Sequence, residues 1–286
     1  MTCSASGGDV ARAAELLRNA SSVLIGAGAG LSAAAGLSYG GERFERNFAP
    51  FIEKYGITDM YAAGFYPFPS EEARWGYWAR HVWVNRHEPG ALPLYRALRA
   101  FARERDSFII TTNVDAQFEK AGFPPERLFA TQGDYGLLQC ARGCHDALYP
   151  NRELVAQMLA RTEDCLVPSD LVPACPVCGG PMAVHLRVDG HFVEDTAWRA
   201  AQERYHRFVQ GMGREPVVLL ELGVGWNTPG IVRLPFEVLA RATGAPLVRL
   251  NYDDAHLPEG VPGVGLQGDI AELWPRIASA AERGKQ

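Results

Sequence analysis

A chain of 286 residues, 47% hydrophobic and 21% charged, has the material for one large domain and a small one. A net charge of −5 argues against a broad nucleic-acid or acidic-membrane footprint. No apolar run is long enough to span a bilayer, and the start MTCSASGGDVARAAELL lacks the basic-then-apolar order of a secretory signal. Six cysteines in such a chain point to reduced thiols and metal ligation in a cytoplasmic protein.

Asp9 to Ala20 has helical spacing, with Val10, Ala13, Leu16 and Leu17 on one face. Ser22 to Ile25 is a short apolar strand ended by Gly26-Ala27-Gly28-Ala29-Gly30, and a small-residue helix from Leu31 to Ala35 follows. Residues 38–70, rich in Gly, Phe, Tyr and Pro, read as a loop with short helices. Helices are predicted at about 70–86, with Ser70 as N-cap, and at about 91–104. Ser107 to Thr112 is a buried strand. A helix near Arg152 to Leu159 sits inside a cysteine-bearing segment, 138–181, and another helix covers Asp195 to Gln210. Val217 to Leu222 is a strand ended by Gly223-Val224-Gly225. Thr228-Pro229 reads as the cap and first position of a helix that turns Val238, Leu239 and Ala242 inward. Strands at 247–251 and 263–266 and a closing helix at 270–281 complete the pattern.

Apolar strands alternating with helices predict an α/β fold, a Rossmann-like parallel sheet with helices on both faces. Residues 1–137 and 182–286 form that domain, with a helical and loop segment at about 38–90, and 138–181 is an inserted module. Each glycine turn leaves a strand. Either the backbone there approaches a pyrophosphate, or the turns simply need positive φ.

Cys140-x3-Cys144 and Cys175-x2-Cys178, with 30 residues between the pairs, fit a tetrahedral zinc site, one per chain. Four thiolates leave no open position, so such a metal is structural. Cys3 and Cys165 have no partner at ligand spacing and read as free thiols. Asn113 and Asp115 end a buried strand, where polar side chains face a ligand crevice; an Asx turn with Asp115 as a helix cap is the alternative.

Taken together, Gly26 to Ser32, Thr112-Asn113-Val114-Asp115, Gln132-Gly133, the four cysteines, Gly223-Val224-Gly225, Leu250-Asn251 and Gly268-Asp269 resemble the sirtuin family, in family order over nearly the whole chain. The resemblance implies NAD as a consumed co-substrate. It implies NAD contacts from Gly26, Ala27, Gly28, Leu31, Ser32 and Phe44 around the first loop, and from Gly223, Val224, Gly225, Asn227, Asn251 and Asp269 on the adenosine side. Asn113, Asp115 and Gln132 take the catalytic positions.

Three departures stand out. Gln132-Gly133 replaces the usual His-Gly, Thr112-Asn113-Val114-Asp115 replaces Gln-Asn-Ile-Asp, and the usual Asp-Phe-Arg gives way to Leu37 to Phe44, leaving Tyr39 or Phe44 for the aromatic role. Glutamine for histidine and Gly40-Gly41-Glu42-Arg43-Phe44 resemble the macrodomain-linked class of microbial sirtuins. That class implies protein mono-ADP-ribosylation, a lipoylated glycine-cleavage-H-like carrier as acceptor, and a macrodomain hydrolase as the reversing partner.

The chemistry agrees with the resemblance. Imidazole can take a ribose hydroxyl proton near pH 7, whereas a carboxamide cannot, so a deacylation cycle lacks its base. Nicotinamide departure needs only an oriented dinucleotide and stabilisation of an oxocarbenium-like ribose. His185 and His191, which follow the cysteine segment, read as surface or core histidines, Arg187 and Arg233 are candidates to meet an acidic acceptor or a phosphate, and Trp226 and Trp198 read as packing. Competing readings are an NAD-dependent deacylase or delipoylase with another base, an NAD hydrolase, and a non-catalytic NAD-sensing module.

Overall fold

The computed structural model describes residues 6–212 and 215–283, so Cys3 lies outside the described residues. The chain opens with α1 (Gly7–Asn19), capped reciprocally by Ser6 and Asp9: Ser6 Oγ accepts from the Asp9 amide at 3.1 Å and Asp9 Oδ2 from the Ser6 amide at 3.2 Å. Then come β1 (Ser22–Ala27), α2 (Ala29–Ala34), α3 (Gly41–Tyr55), α4 (Met60–Ala63), α5 (Glu71–Val82), α6 (Pro93–Ala102), β2 (Asp106–Thr111) and α7 (Gln117–Lys120). The middle of the chain forms β3 (Leu128–Ala130), β4 (Gly133–Cys140), β5 (Tyr149–Pro150), α8 (Arg152–Arg161) and β6 (Met182–Leu186). The last third forms α9 (Thr196–Gly211), β7 (Val217–Leu222), α10 (Arg233–Thr243), β8 (Leu247–Asn251), β9 (Gly263–Gln267) and α11 (Ile270–Arg283).

The large sheet has six strands in the order β3-β2-β1-β7-β8-β9, all parallel. The order reverses between β1 and β7, the switch point at which open α/β sheets bind ligands. Residues 217–222 are buried along their whole length, as a strand covered on both faces must be. One face packs under α1, α6 and α11, where Phe101 meets Trp274 edge-on at 5.1 Å. The other packs under α9 and α10 through Leu24, Phe108 and Phe236. A fully buried side chain such as Phe236 contributes roughly 1.5–3 kcal/mol through burial.

A third core joins α3 and α5 to the cysteine segment. Phe48 touches Phe44, Phe51 and Tyr77, and the cluster continues into Val155, Met158 and Met182. The smaller sheet is antiparallel, in the order β5-β4-β6, beginning at Gly133 and returning at Leu186.

Two expectations change. Residues 38–70 are more ordered than their glycine, proline and aromatic content suggested. The stretch from Gly41 to Tyr55 is helical with a kink at Phe48, two residues ahead of Pro50, and Phe44, Phe48 and Phe51 form its buried stripe. The helix expected from Pro229 begins at Arg233, after a turn at 229–232, and Val238 and Ala242 face solvent. Its buried side is Arg233, Phe236, Glu237 and Ala240. Two charged residues point inward because they are paired: Arg249 binds Glu221 at 2.8 Å and Glu237 at 2.8 Å, and Arg233 binds Asp254 at 2.7 Å. A pattern that assigns charge to solvent cannot anticipate that rotation.

Candidate active site at the switch of the sheet

The two glycine turns meet at the carboxyl ends of β1 and β7. Gly30 donates to the Gly223 carbonyl at 2.9 Å and Gly28 to the Leu222 carbonyl at 3.0 Å. A Cβ on Gly28 would lie 2.7 Å from the Gly223 oxygen, and one on Gly223 would lie 2.3 Å from the Leu31 nitrogen. Gly223 also has φ +61, a left-handed conformation. Gly26 serves packing instead, because a Cβ there would strike Val232 and Phe236 at 2.4–2.8 Å and hold α10 away from β1.

Beside this junction a groove of about 460 Å³ is lined by Gly28, Gly30, Val224, Asn227, Asn251 and Asp269 among others. Gly223 and Gly225 line it as well. Asn251 Nδ2 donates to the Val224 carbonyl at 2.9 Å, tying β8 to the second turn, and Asp269 Oδ1 accepts from the Ala271 amide at 2.8 Å at the start of α11. The groove continues past Ala29, Gly30, Thr112 and Asn227 into an inner cavity of about 420 Å³. A larger groove of about 610 Å³ opens at the amino ends of β1, β2 and β7, beside Ser22, Asp106 and Val217, away from every polar strand end.

The inner cavity holds Asn113, Asp115 and Gln132 together. Asn113 Nδ2 lies within hydrogen-bond reach of the Gly28 carbonyl (3.0 Å), Ser32 Oγ (3.1 Å) and Tyr95 Oη (3.2 Å). Ser32 Oγ donates to Asp115 Oδ2 at 2.5 Å, and Asp115 Oδ1 accepts from the Gln117 amide at 3.0 Å. The Asx turn and the cavity position therefore coexist in one residue. Burial raises the Asp115 carboxyl above the usual range, opposed by the bonds from Ser32 and Gln117. The Gln132 carbonyl accepts from the Arg187 amide at 3.0 Å, while its side-chain amide has no partner among the described residues. Arg187 also lines the cavity, over the Phe192 ring at 4.2 Å and bonded to Glu194 at 2.7 Å.

Of the remaining histidines and cations, His185 stacks on Phe192 at 4.6 Å and meets the Val193 carbonyl through Nε2 at 3.0 Å, outside the cavity lining. His191 is exposed, and Arg233 is 2% exposed in its ion pairs beneath Trp226. The histidine that does border the cavity is His81 on α5, which no motif or spacing singles out. Burial, with Arg43 nearby, holds its pKa down to about 3, so it is neutral at physiological pH and a poor proton acceptor. Tyr95, which meets Asn113 and Ser32, and Tyr135, which lines the cavity, carry no functional signal in the sequence either: Tyr95 sits on the apolar face of α6, and Tyr135 sits on β4, which no pattern predicted. Between the aromatics left open, Tyr39 lines the cavity, with its hydroxyl 3.0 Å from Tyr135, and Phe44 lies in the aromatic core. Leu31 is fully buried beneath the first turn, and Ala27 ends β1 behind it.

The four cysteines converge. Their sulfurs all lie within 4.8 Å of one another, with Cys140–Cys178 and Cys144–Cys175 at 3.7 Å. A tetrahedron with metal–sulfur bonds of about 2.3 Å has edges of roughly 3.8 Å, so the donor set is compatible with zinc. Cys165 is buried, apart from that cluster.

No family model matches the sequence. The chain is 37% identical over 268 residues to a protein ADP-ribosyltransferase of Staphylococcus aureus, covering 91% of this chain and 85% of that protein. It is 37% identical over 297 residues to a probable bifunctional ADP-ribose hydrolase/ADP-ribosyltransferase of Fusarium oxysporum f. sp. cubense, covering 94% of this chain and 48% of that protein. Among solved structures, a Sir2 homologue in complex with NAD superimposes with a TM-score of 0.64 at 15% identity, over 96% of this chain and 94% of that one. The chain belongs to the sirtuin family.

In this sirtuin the fold is the expected Rossmann-like sheet with a cysteine cluster beside it. Among the described residues no helix is long and apolar enough to cross a membrane.

Proposed function

We propose that this sirtuin transfers ADP-ribose from NAD to a protein acceptor and releases nicotinamide. The carrying observation is the cavity itself. Asn113 and Asp115 sit there in a fixed network, and the position usually held by histidine bears an unpartnered Gln132 amide. The names of the bacterial and fungal relatives support the same activity.

In this reading the groove between the glycine turns holds the adenosine and phosphates, against Gly28, Gly223, Val224, Gly225, Asn227, Asn251 and Asp269. Gly26, Ala27 and Leu31 shape the turn from behind, whereas Phe44, expected to contact NAD, lies in the aromatic core and lines neither the groove nor the cavity. The nicotinamide ribose lies in the inner cavity near Asn113, Ser32 and Asp115. The bond between ribose C1′ and the pyridine nitrogen breaks, and its electron pair leaves with nicotinamide, which becomes neutral. The ionised form of Asp115 stabilises the positive charge developing at C1′. The acceptor's nucleophile bonds to C1′ and releases its proton to solvent. Gln132 holds a ribose hydroxyl but takes no proton from it.

The acceptor in this reading is a lipoylated glycine-cleavage-H-like carrier protein in the cytoplasm, and a macrodomain hydrolase reverses the modification. The fungal relative, whose name joins an ADP-ribose hydrolase to a transferase, supports that link. One structural zinc per chain, held by Cys140, Cys144, Cys175 and Cys178, completes the assignment.

Incubation with NAD labelled in the adenylate half separates the alternatives. Transfer places label on carrier protein, deacylation yields O-acyl-ADP-ribose, hydrolysis yields free ADP-ribose, and a sensor leaves NAD intact. Turnover of an acetyl-lysine peptide at ordinary sirtuin rates, with unlabelled carrier, would overturn the reading.

A further inference from the structure

One hydrogen-bonding atom of a residue that lines the inner cavity is used by nothing in the described protein, and it lies buried behind the cavity wall. The His81 ring is 1% exposed and borders the cavity from α5. Its Nδ1 lies 3.0 Å from Tyr77 Oη, and the Tyr77 hydroxyl donates its single proton to the Met60 carbonyl at 2.7 Å. Tyr77 must therefore accept from Nδ1–H, which fixes the tautomer and leaves Nε2 as a bare lone pair. Nε2 has no partner among the described residues. Tyr39 and Tyr135 meet the imidazole edge-on at 5.5 Å and 4.9 Å, so the ring is clamped. A buried acceptor left bare is costly, and a phenyl ring of the same outline would avoid that cost.

We propose that His81 Nε2 is a ligand-binding atom of the inner cavity, accepting a hydrogen bond from an uncharged N–H or O–H donor. This rests on the reading of that cavity as the place where the ribose bond is broken. The surroundings suit such a donor: Met60, Trp78, Tyr39 and Tyr135 give an apolar wall that disfavours a charge, and both Asp115 oxygens already have donors in place. The depressed basicity of the imidazole makes it an acceptor of a hydrogen bond and not of a proton. Two sources carry the chemistry, the carboxamide of nicotinamide and a neutral side chain of the acceptor protein.

His81→Phe, His81→Gln and Tyr77→Phe in the full chain test this. Calorimetry with nicotinamide and with NAD reads binding without turnover, and KM for the lipoylated carrier reads the acceptor. His81→Phe is expected to weaken one of these about tenfold, the usual loss when a buried donor is left unpaired, with the thermal midpoint unchanged or raised. The Gln variant should recover part of the loss, and Tyr77→Phe should show a smaller one, because the tautomer is no longer fixed. Weaker nicotinamide binding assigns the carboxamide, and a raised carrier KM alone assigns the acceptor. Unchanged affinities and KM in His81→Phe overturn the proposal, most plainly if the thermal midpoint falls, since His81 would then only pack. If the wild-type chain transfers nothing, the transferase reading fails separately, and nicotinamide calorimetry alone decides His81.

Discussion

The Ser32 hydroxyl reaches from α2 to the Asp115 carboxylate at 2.5 Å and joins the first glycine turn to the end of β2. The Asp115 carboxyl is raised by burial, so the folded state holds its proton more tightly than the unfolded chain does. Its contribution to stability is present below the ordinary aspartate range and is lost as pH rises through the raised value. Asp115→Asn keeps an oxygen for the Gln117 amide and removes the buried charge. It should hold or raise the thermal midpoint at neutral pH while lowering transfer by about 10²–10³-fold. Differential scanning calorimetry beside a labelled-NAD assay checks both halves.

Gln132 should behave in the opposite sense from a structural residue. Its side chain bonds to nothing else in the described protein, so Gln132→Ala should leave the thermal midpoint unchanged. Transfer should fall by about tenfold through loss of the ribose hydrogen bond that the proposed mechanism gives to Gln132. A large drop in midpoint would show that the amide braces the fold instead.

Gly223→Ala should damage stability and binding together. The new Cβ would lie 2.3 Å from the Leu31 nitrogen, at a backbone φ of +61. Overpacking of this kind costs about 1–3 kcal/mol. The displaced turn should also abolish measurable NAD binding in calorimetry. Gly225→Ala has open space at its Cβ and serves as the mild control.

Acid should unfold the protein partly through His81. Its pKa falls to about 3 on folding because burial disfavours the imidazolium, with Arg43 adding to the effect; Tyr39, Tyr77 and Tyr135 offer no negative charge against it. A depressed histidine contributes stability above its unfolded pKa of about 6.5 that is lost as pH falls toward 3. The thermal midpoint of the wild type should therefore drop more steeply between pH 6.5 and 4 than that of His81→Phe. His87 and His185, also depressed by burial, leave a residual slope in both proteins.

Chelation should undo the small sheet first. β4 carries Cys140 at its end, and β6 begins just past Cys178 and runs into Leu186, whose neighbours Arg187 and Val188 form cavity wall. Native mass spectrometry should show one zinc per chain. Its removal should lower both the thermal midpoint and the affinity for NAD, and full retention of both would argue that the cluster is dispensable.

The sheet was legible because its strands are short apolar runs ended by glycine, and a parallel sheet buries both faces of such runs. The cysteine cluster was legible because ligand spacing is local. Elements whose identity depends on distant partners were not. Gly133–Cys140 became a strand by pairing with β5 and β6, and α10 turned Arg233 and Glu237 inward because Arg249, Glu221 and Asp254 await them. Within the site, Asn113, Asp115 and Gln132 were readable from a polar strand end and a family pattern. His81 sits among aromatic and apolar neighbours on α5, and nothing in its spacing marks it as a cavity residue.

The contact between Gly28, Gly30 and Gly223 is backbone against backbone, and this limits how the protein can vary. Where the two halves of the sheet come closest there is no side chain for mutation to adjust. A substitution in one turn demands a matching concession in the other, so the pair should change together or not at all. In the proposed reading, adjustment of ligand preference falls to side chains at the periphery of the groove, such as Thr112, Asn227 and Asp253.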